Sequence, residues 1–326
     1  MLIDVIKHKK ELLYLRKILG RIPLALAAYK YLWKFRTALE FRLSYPKKEN
    51  IIHFGDYPNP SLENPTSQLC TAKQILTKPY RYWCDLILSP ARFSRKQWEF
   101  VFIMQALQEA GKLQIGMKGL GFGCGREPLP GVFAKFGCMV TATDLDQAAA
   151  HELGWIETMQ HAASLQELYS SCHRILPKSI FFEQVSFLPV DMNQIPTELS
   201  GQYDFVWSAC ALEHLGSLQH GAEFIKNSLK CLKPGGVAVH TTEFNLSSNE
   251  STLETSGCSI YREKDIRQLI HELGLEGYDV KPLNLNTGGS SVDNYIDAPP
   301  YGLSPHLKLE LANYVVTSIG LIIAKK

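Results

Sequence analysis

The chain has 326 residues, enough for one large domain or two small ones with a substantial buried core. Hydrophobic residues make up 45%, charged residues 20%, and the net charge is +2. That balance excludes a disordered tail, a collagen-like fibre and a polytopic membrane protein, and it implies no obligate nucleic-acid partner.

The basic charge is concentrated at the start. Residues 1–48 carry twelve Lys or Arg against three Asp or Glu, a balance of +9 that leaves −7 for the rest. Large apolar residues (Ile3, Ile6, Leu12, Leu15, Ile18, then Leu26, Leu32, Trp33) alternate with these charges on either side of Gly20 and Pro23. The pattern predicts two amphipathic helices. They read either as a helical subdomain packed on the main body or as a peripheral membrane contact through residues 1–45. The longest apolar run there, residues 22–29, is far short of a bilayer span, and no signal peptide is visible, so a cytoplasmic protein is expected.

Residues 49–111 form a second region, a helical and loop lid. Pro58, Pro60 and Pro65 punctuate a polar loop, and residues 67–88 read as a helix broken at Pro79. Residues 93–111 predict a longer helix, with Ser94 as its N-cap and Gly111 as its stop. The eight cysteines include no C-x-x-C pair, which favours reduced core thiols over disulfides or structural zinc.

From Lys118 the pattern becomes strand, glycine turn, helix, and a third region spans residues 112–326. Gly119, Gly121, Gly123 and Gly125 alternate before a helix that opens near Pro128. Such a loop lets a ligand approach the backbone closely and meet the free N–H groups of the helix start. A dinucleotide fingerprint counted from Gly121 would need glycine at 126, which is Arg126. A second strand, residues 137–143, ends in Asp144, Leu145 and Asp146. Asp144 lies 19 residues past Gly125, the spacing at which an acid meets ribose hydroxyls. A third strand, 185–190, ends at Asp191 and Met192, placed to face an adenine. A fourth, 203–209, carries Ser208 and runs into Glu213 and His214, and a fifth covers 237–241 after Lys233, Pro234, Gly235 and Gly236. Residues 262–274 predict a helix, 278–282 a strand and 314–324 a strongly apolar last strand. Insertions fall near 147–180 and 284–313.

In this order, over roughly residues 112–245, the motifs resemble those of class I S-adenosylmethionine-dependent methyltransferases. The resemblance implies a doubly wound Rossmann-like α/β sheet of seven strands, six parallel and one antiparallel. It implies S-adenosylmethionine as donor and S-adenosylhomocysteine as product, held by Gly121, Gly123, Gly125, Arg126, Asp144, Leu145, Asp191, Met192 and Ser208. One departure stands out: the family's acid two residues before the first loop glycine is absent, since Gly121 or Gly119 occupies that place. Glu127 is a substitute for that contact or simply a helix-start acid. Arg126 either meets the donor carboxylate or is solvated.

Methyl transfer to oxygen needs alignment and removal of the acceptor's proton. His214 is the candidate base, with Glu213 orienting it, unless the pair merely caps the next helix. Glu243 is a further catalytic candidate. His240 and Glu243 also invite a metal reading, but histidine suits magnesium poorly and no metal is expected. His240, Tyr261, Arg262, Asp293, Tyr295, Tyr301 and His306 are expected to form a polar acceptor wall, with Asp297 beside them, while His161, His220 and His271 read as surface residues. A polar wall argues for a saccharide or glycan hydroxyl as acceptor. A small natural product or lipid is the alternative within the class, and a nucleotide-binding oxidoreductase or an inactive donor-binding scaffold the alternative outside it.

Overall fold

The computed structural model describes residues 51–152, 160–301 and 305–326. The basic segment 1–48 and its expected helices therefore lie outside the described residues. One mixed sheet of eleven strands runs through the molecule. In chain order the strands are β1 (Ser67–Leu69), β2 (Lys118–Phe122), β3 (Met139–Asp144), β4 (Val185–Pro189), β5 (Tyr203–Ala209), β6 (Leu232–Asn245), β7 (Asp279–Val280), β8 (Leu283–Asn284), β9 (Ile296–Asp297), β10 (Lys308–Leu311) and β11 (Tyr314–Ala324).

The parallel block has the order β4-β3-β2-β5-β6, so β2 lies in the middle and its two neighbours β3 and β5 diverge in sequence from it. This is the arrangement in which ligands bind outside the carboxyl ends of the central strands. The apolar β11 runs antiparallel to β6 over nine paired positions, and the two-residue β7 pairs antiparallel to β11. The expected six parallel strands and one antiparallel strand are thus present, with the sixth only a remnant. The sheet is wider than expected because β1 also pairs with β11, β8 with β1, and β9 and β10 extend the far end of β11. Residues 67–69, expected to be helical, are the added strand β1. Pro79 starts a helix rather than breaking one: α1 (Lys78–Leu86) has it in the first turn, where its missing N–H costs nothing.

The helices cover both faces. On one lie α1, α2 (Arg95–Glu109), α3 (Leu129–Lys135), α5 (Leu165–Cys172) and α6 (Lys178–Gln184), packed on Phe205 and Trp207. On the other lie α7 (Leu218–Lys230) and α8 (Glu263–Leu275), packed on Leu120, Phe122 and Val206. A short α4 (Gln147–Glu152) follows β3. The expected helix 93–111 is α2, capped at Ser94, and all its residues from Val101 to Leu107 are buried. It is a central element rather than part of a lid. All eight cysteines are free.

Alternation along β2 explains two of the four spaced glycines. Gly119 and Gly121 point to the face of Phe205 and Trp207, and a Cβ on either would lie 2.3 Å from those rings. The rings in turn stack on Phe133 edge-on, at 5.3 and 4.9 Å between centroids. Gly121, assigned from sequence to the donor loop, is thus a packing residue inside the strand. Gly320 does the same for α2, since a Cβ there would meet the Phe102 ring at 2.1 Å. Substituting Gly320→Ala is expected to overpack the contact between α2 and β11 and to cost about 1–3 kcal/mol of unfolding free energy, read as a lowered urea midpoint with unchanged slope.

Candidate active site

Beyond the carboxyl end of β2 the chain turns through Gly123 and Gly125, both in the left-handed region (φ 59° and 51°) where a side chain is strained. A Cβ at Gly123 would lie 2.8 Å from Ala211 Cβ and 3.3 Å from Met192 Sδ, and one at Gly125 would lie 2.2 Å from the Gln160 carbonyl oxygen. The loop is a cradle in which only bare backbone fits. Asp144, at the end of β3, accepts N–H bonds from Gly125 (2.9 Å) and Leu145 (2.8 Å), and a longer one from Ala162 (3.4 Å). Burial pushes its carboxyl up, and those amides and His161 oppose the rise. Asp144, expected from its spacing to meet ribose hydroxyls, is held against the glycine loop by these bonds. Asp191 turns its carboxylate to the Asn193 amide at 2.8 Å, and the buried Met192 faces Gly123. This glycine cradle, with an acid at the end of the neighbouring strand, fits a donor built on an adenosine.

Part of the insertion, from Gln160 to Ala162, packs against this loop. The His161 ring nitrogen Nε2 meets the Leu145 carbonyl at 2.8 Å, and its own carbonyl accepts from Arg126 Nε at 3.2 Å. His161 is buried, not a surface residue. Arg126, read as either meeting the donor carboxylate or solvated, is part-exposed, donates Nε to the His161 carbonyl and lies 3.6 Å from Glu167.

Next to Ala211 a second set of groups gathers, centred on Glu99 of α2. Glu99 Oε1 accepts from Ser318 (2.5 Å), the Cys210 thiol (3.0 Å) and Arg95 (3.2 Å), while Lys96 lies 3.2 Å from Oε2. Burial alone would raise its carboxyl, but Lys96 and Arg95 overcome this and hold it below the usual carboxylate range. Arg95 reaches on to Glu243 Oε1 at 2.5 Å, at the end of β6. Glu243 Oε2 is buried and has no hydrogen-bond partner among the described residues. Burial pushes Glu243 up to about 7; Arg95 opposes this, and the negative charges of Glu213 and Glu99 reinforce it. Cys210, Glu213 and Glu243 hold ligand-capable atoms within 4.8 Å of one another. Arg95 is the cation that stands among them.

The other residues singled out from sequence separate clearly. Glu213 is buried and accepts from Thr242 at 3.1 Å. His214 lies at the site's edge, its Nδ1 2.7 Å from the Gly257 carbonyl and its Nε2 4.0 Å from Glu213. Ser208 and His240 are not at the site. They are fully buried and bonded to each other at 2.8 Å, with His240 also 3.2 Å from Ser228, so they tie β5 and β6 to α7. Burial drives the His240 pKa down to about 3, which keeps the ring neutral.

Asp293 caps the Ala72 amide at 2.7 Å and is closed into its own loop by Ser290. The buried Tyr261 donates its hydroxyl to Leu218 O. Arg262 forks onto Asp265 and the Glu250 carbonyl. These three hold loops and do not form an acceptor wall. His306 does approach the site. Its backbone bonds Phe93 and Arg95, and its ring meets the buried Asp297 at 2.5 Å, with Tyr301 edge-on against it. Tyr295 is half-buried just before β9.

Sequence reasoning missed Arg95, Lys96, Glu99 and Cys210. A readable signal existed: two cations and an acid at positions 95, 96 and 99, at the head of a helix that is otherwise apolar. Removing Glu99 by Glu99→Ala would take a carboxylate from the largely buried Arg95 and the half-exposed Lys96 and is expected to cost about 3 kcal/mol, measurable by chemical denaturation.

A methyltransferase domain family model matches residues 95–280. No curated protein sequence matches the chain. Among solved structures, the magnesium protoporphyrin IX methyltransferase of Synechocystis PCC 6803 with bound S-adenosylmethionine is similar at 15% identity. That match covers 77% of this chain and 92% of that one with a TM-score of 0.41. A methyltransferase from Aquifex aeolicus is also 15% identical, over 67% of this chain and 88% of its own, with a TM-score of 0.38. The cyclase SpnF is 17% identical, over 67% and 76%, with a TM-score of 0.40. With the family model covering α2, the glycine cradle and the strands through β7, the chain belongs to the methyltransferase domain family and is an S-adenosylmethionine-dependent methyltransferase.

Proposed function

We propose that this enzyme methylates a hydroxyl group of a saccharide or glycan intermediate. The observation that carries this reading is the buried, unpartnered Glu243 Oε2 beside Arg95 and Glu213, in a carboxylate pair within 4.8 Å of the Cys210 sulfur, whose next residue, Ala211, borders the glycine cradle. A buried acceptor atom left bare is costly unless a ligand completes it. A hydroxyl donates one hydrogen bond and then gives up that proton, which suits a carboxylate raised close to neutrality.

The donor supplies a methyl group already activated on a sulfonium. The protein's part is alignment and proton removal. On this reading Gly123, Gly125, Met192 and Asp144 hold the donor, and Leu145 shapes the same rim. Glu243 takes the acceptor's proton, Arg95 orients Glu243, and Glu213, His214, Tyr301 and His306 border the acceptor. Glu243 is favoured over His214 as base because its buried Oε2 is bare, whereas His214, whose Nδ1–H points to the Gly257 carbonyl, has its Nε2 4.0 Å from Glu213. The basic segment 1–48 would keep the enzyme beside a lipid-linked acceptor. Among the described residues no helix is long and apolar enough to cross a membrane.

Two experiments follow. With labelled donor and a panel of saccharide acceptors, Glu243→Gln is expected to lower kcat by about 10²–10⁴-fold. His214→Ala should act mainly on KM. Because the base must be ionised, wild-type kcat should rise with pH through about 7, the value to which burial raises Glu243 against Arg95. The reverse ranking of the two variants would return the proton to His214. Flotation with anionic vesicles should be lost on deleting residues 1–45, and equal flotation would remove the membrane role.

A further inference from the structure

Three carboxyls gather on the acceptor side of the site, Glu99, Glu213 and Glu243, and they are 0%, 1% and 6% exposed. Two cations stand among them. Lys96 is held by Glu99 and the Ala209 carbonyl, and Arg95 bridges Glu99 to Glu243 Oε1. Glu213 is left with a neutral partner. Thr242 Oγ1 donates to it at 3.1 Å, and among the described residues it forms no ion pair with a lysine or arginine. His214 Nε2 stands 4.0 Å away, with its Nδ1 at the Gly257 carbonyl. A buried carboxylate without a cation is costly, so this set lacks one positive charge.

The spacing indicates what kind of charge would complete it. Glu213 and Glu243 each bring an oxygen within 4.8 Å of the other and of Cys210 Sγ. The Cys210 thiol donates to Glu99 at 3.0 Å, and sulfur is a weak acceptor, so the two carboxylates are the strong acceptors here. One of their oxygens, Glu243 Oε2, is buried and bare. An ammonium donating at about 2.9 Å along tetrahedral directions sets its acceptors about 4.7 Å apart. A zinc ion would have to draw sulfur and oxygen to about 3.6 Å. The part-exposed Cys210 and His214 flank the pair.

From this charge count and spacing we infer that the acceptor is an amino sugar, with its protonated amine held by Glu213 and the hydroxyl on the adjacent carbon at Glu243 Oε2. The inference rests on the reading of Glu243 as the base for a saccharide hydroxyl. In the transfer the donor's carbon–sulfur bond breaks as the hydroxyl oxygen takes the methyl group. The sulfonium becomes a thioether, the hydroxyl proton passes to Glu243, and the ammonium keeps its protons. Held in that form, the nitrogen has no lone pair with which to attack the methyl group. Glu213 is thus a specificity residue that selects the acceptor and directs transfer to oxygen.

Three methyl glycosides that differ at one carbon, bearing an amino, an acetamido or a hydroxyl group there, test this with labelled donor at pH 7, where such an amine is largely protonated. Wild type should use the amino sugar with a kcat/KM about tenfold or more above the other two, carried mainly by KM. Mass spectrometry of the product should place the methyl group on oxygen. Glu213→Gln, nearly isosteric, should bring the three glycosides within about threefold of one another by raising KM for the amino sugar. Calorimetry of the amino sugar against the protein bound to S-adenosylhomocysteine should give the same ranking without turnover, with affinity lowered at least about tenfold in the variant. The wild-type ranking is decisive even where Glu213→Gln fails to fold. Absence of any preference in wild type would overturn the inference and leave the saccharide reading standing. A methyl group on nitrogen, or an unchanged preference in folded Glu213→Gln, would overturn it as well. Wild type that binds S-adenosylhomocysteine yet methylates none of the three would overturn the saccharide reading itself, and this inference with it.

Discussion

Glu99 sits with no solvent exposure in the layer between α2 and the sheet, and four groups from three parts of the chain converge on it. An isolated carboxylate there would be driven to protonate or to unfold the helix. Instead Arg95 and Lys96, one turn earlier on the same helix, keep it ionised, and Ser318 and Cys210 add hydrogen bonds. The contact with Ser318 is to β11 and that with Cys210 is to the end of β5, so the charge cluster fixes where α2 crosses the sheet. Arg95 then carries the constraint across to β6 through Glu243. A network of this kind contributes little net stability compared with an apolar layer. Its consequence is orientation, because every member is held by charge-assisted contacts with a definite geometry.

The glycine-rich stretch divides into two parts with different physical origins. Gly119 and Gly121 are small because Phe205 and Trp207 press on β2, and they would be needed in a protein that bound nothing. Gly123 and Gly125 have positive φ and are crowded by Ala211, Met192 and Gln160, which is the signature of a turn shaped for close approach. The two parts meet at Trp207, whose ring excludes a side chain at 121 and whose N–H holds Glu127. A packing event in the strand is thereby transmitted to the polarity of the loop.

Much of this was legible in the sequence because it rests on local rules. Strand β5 over 203–209 and β11 over 314–324 match the expectation residue for residue, since largely apolar runs bounded by turns leave little freedom. Asp144 was legible from its spacing to the loop. What was not legible is non-local. Ser208 and His240 look like site residues in one dimension, but the parallel register sets them side by side in the interior, where they satisfy each other. Asp293 caps a segment more than two hundred residues away. Residues 67–69 became a strand because β11 offered them an edge, which no propensity within the triplet announces.

The insertion between β8 and β11 shows the same principle with a functional consequence. Read alone, it offers a row of polar side chains with no order among them. In the fold, Asp293 is turned inward to hold the loop, whereas Asp297 and His306 pair at its other end, and the backbone of His306 bonds both sides of Ser94. That bond attaches the insertion to the first turn of α2, immediately beside Arg95. The insertion is therefore fastened to the same helix start that supplies the Glu99 cluster, and Lys96, in the next position, pairs with Glu99. The insertion and the Glu99 cluster share one helix start with a fixed charge pattern. A shift of α2 by an ångström would disturb both ends at once, which is reason enough for a buried carboxylate to pin it.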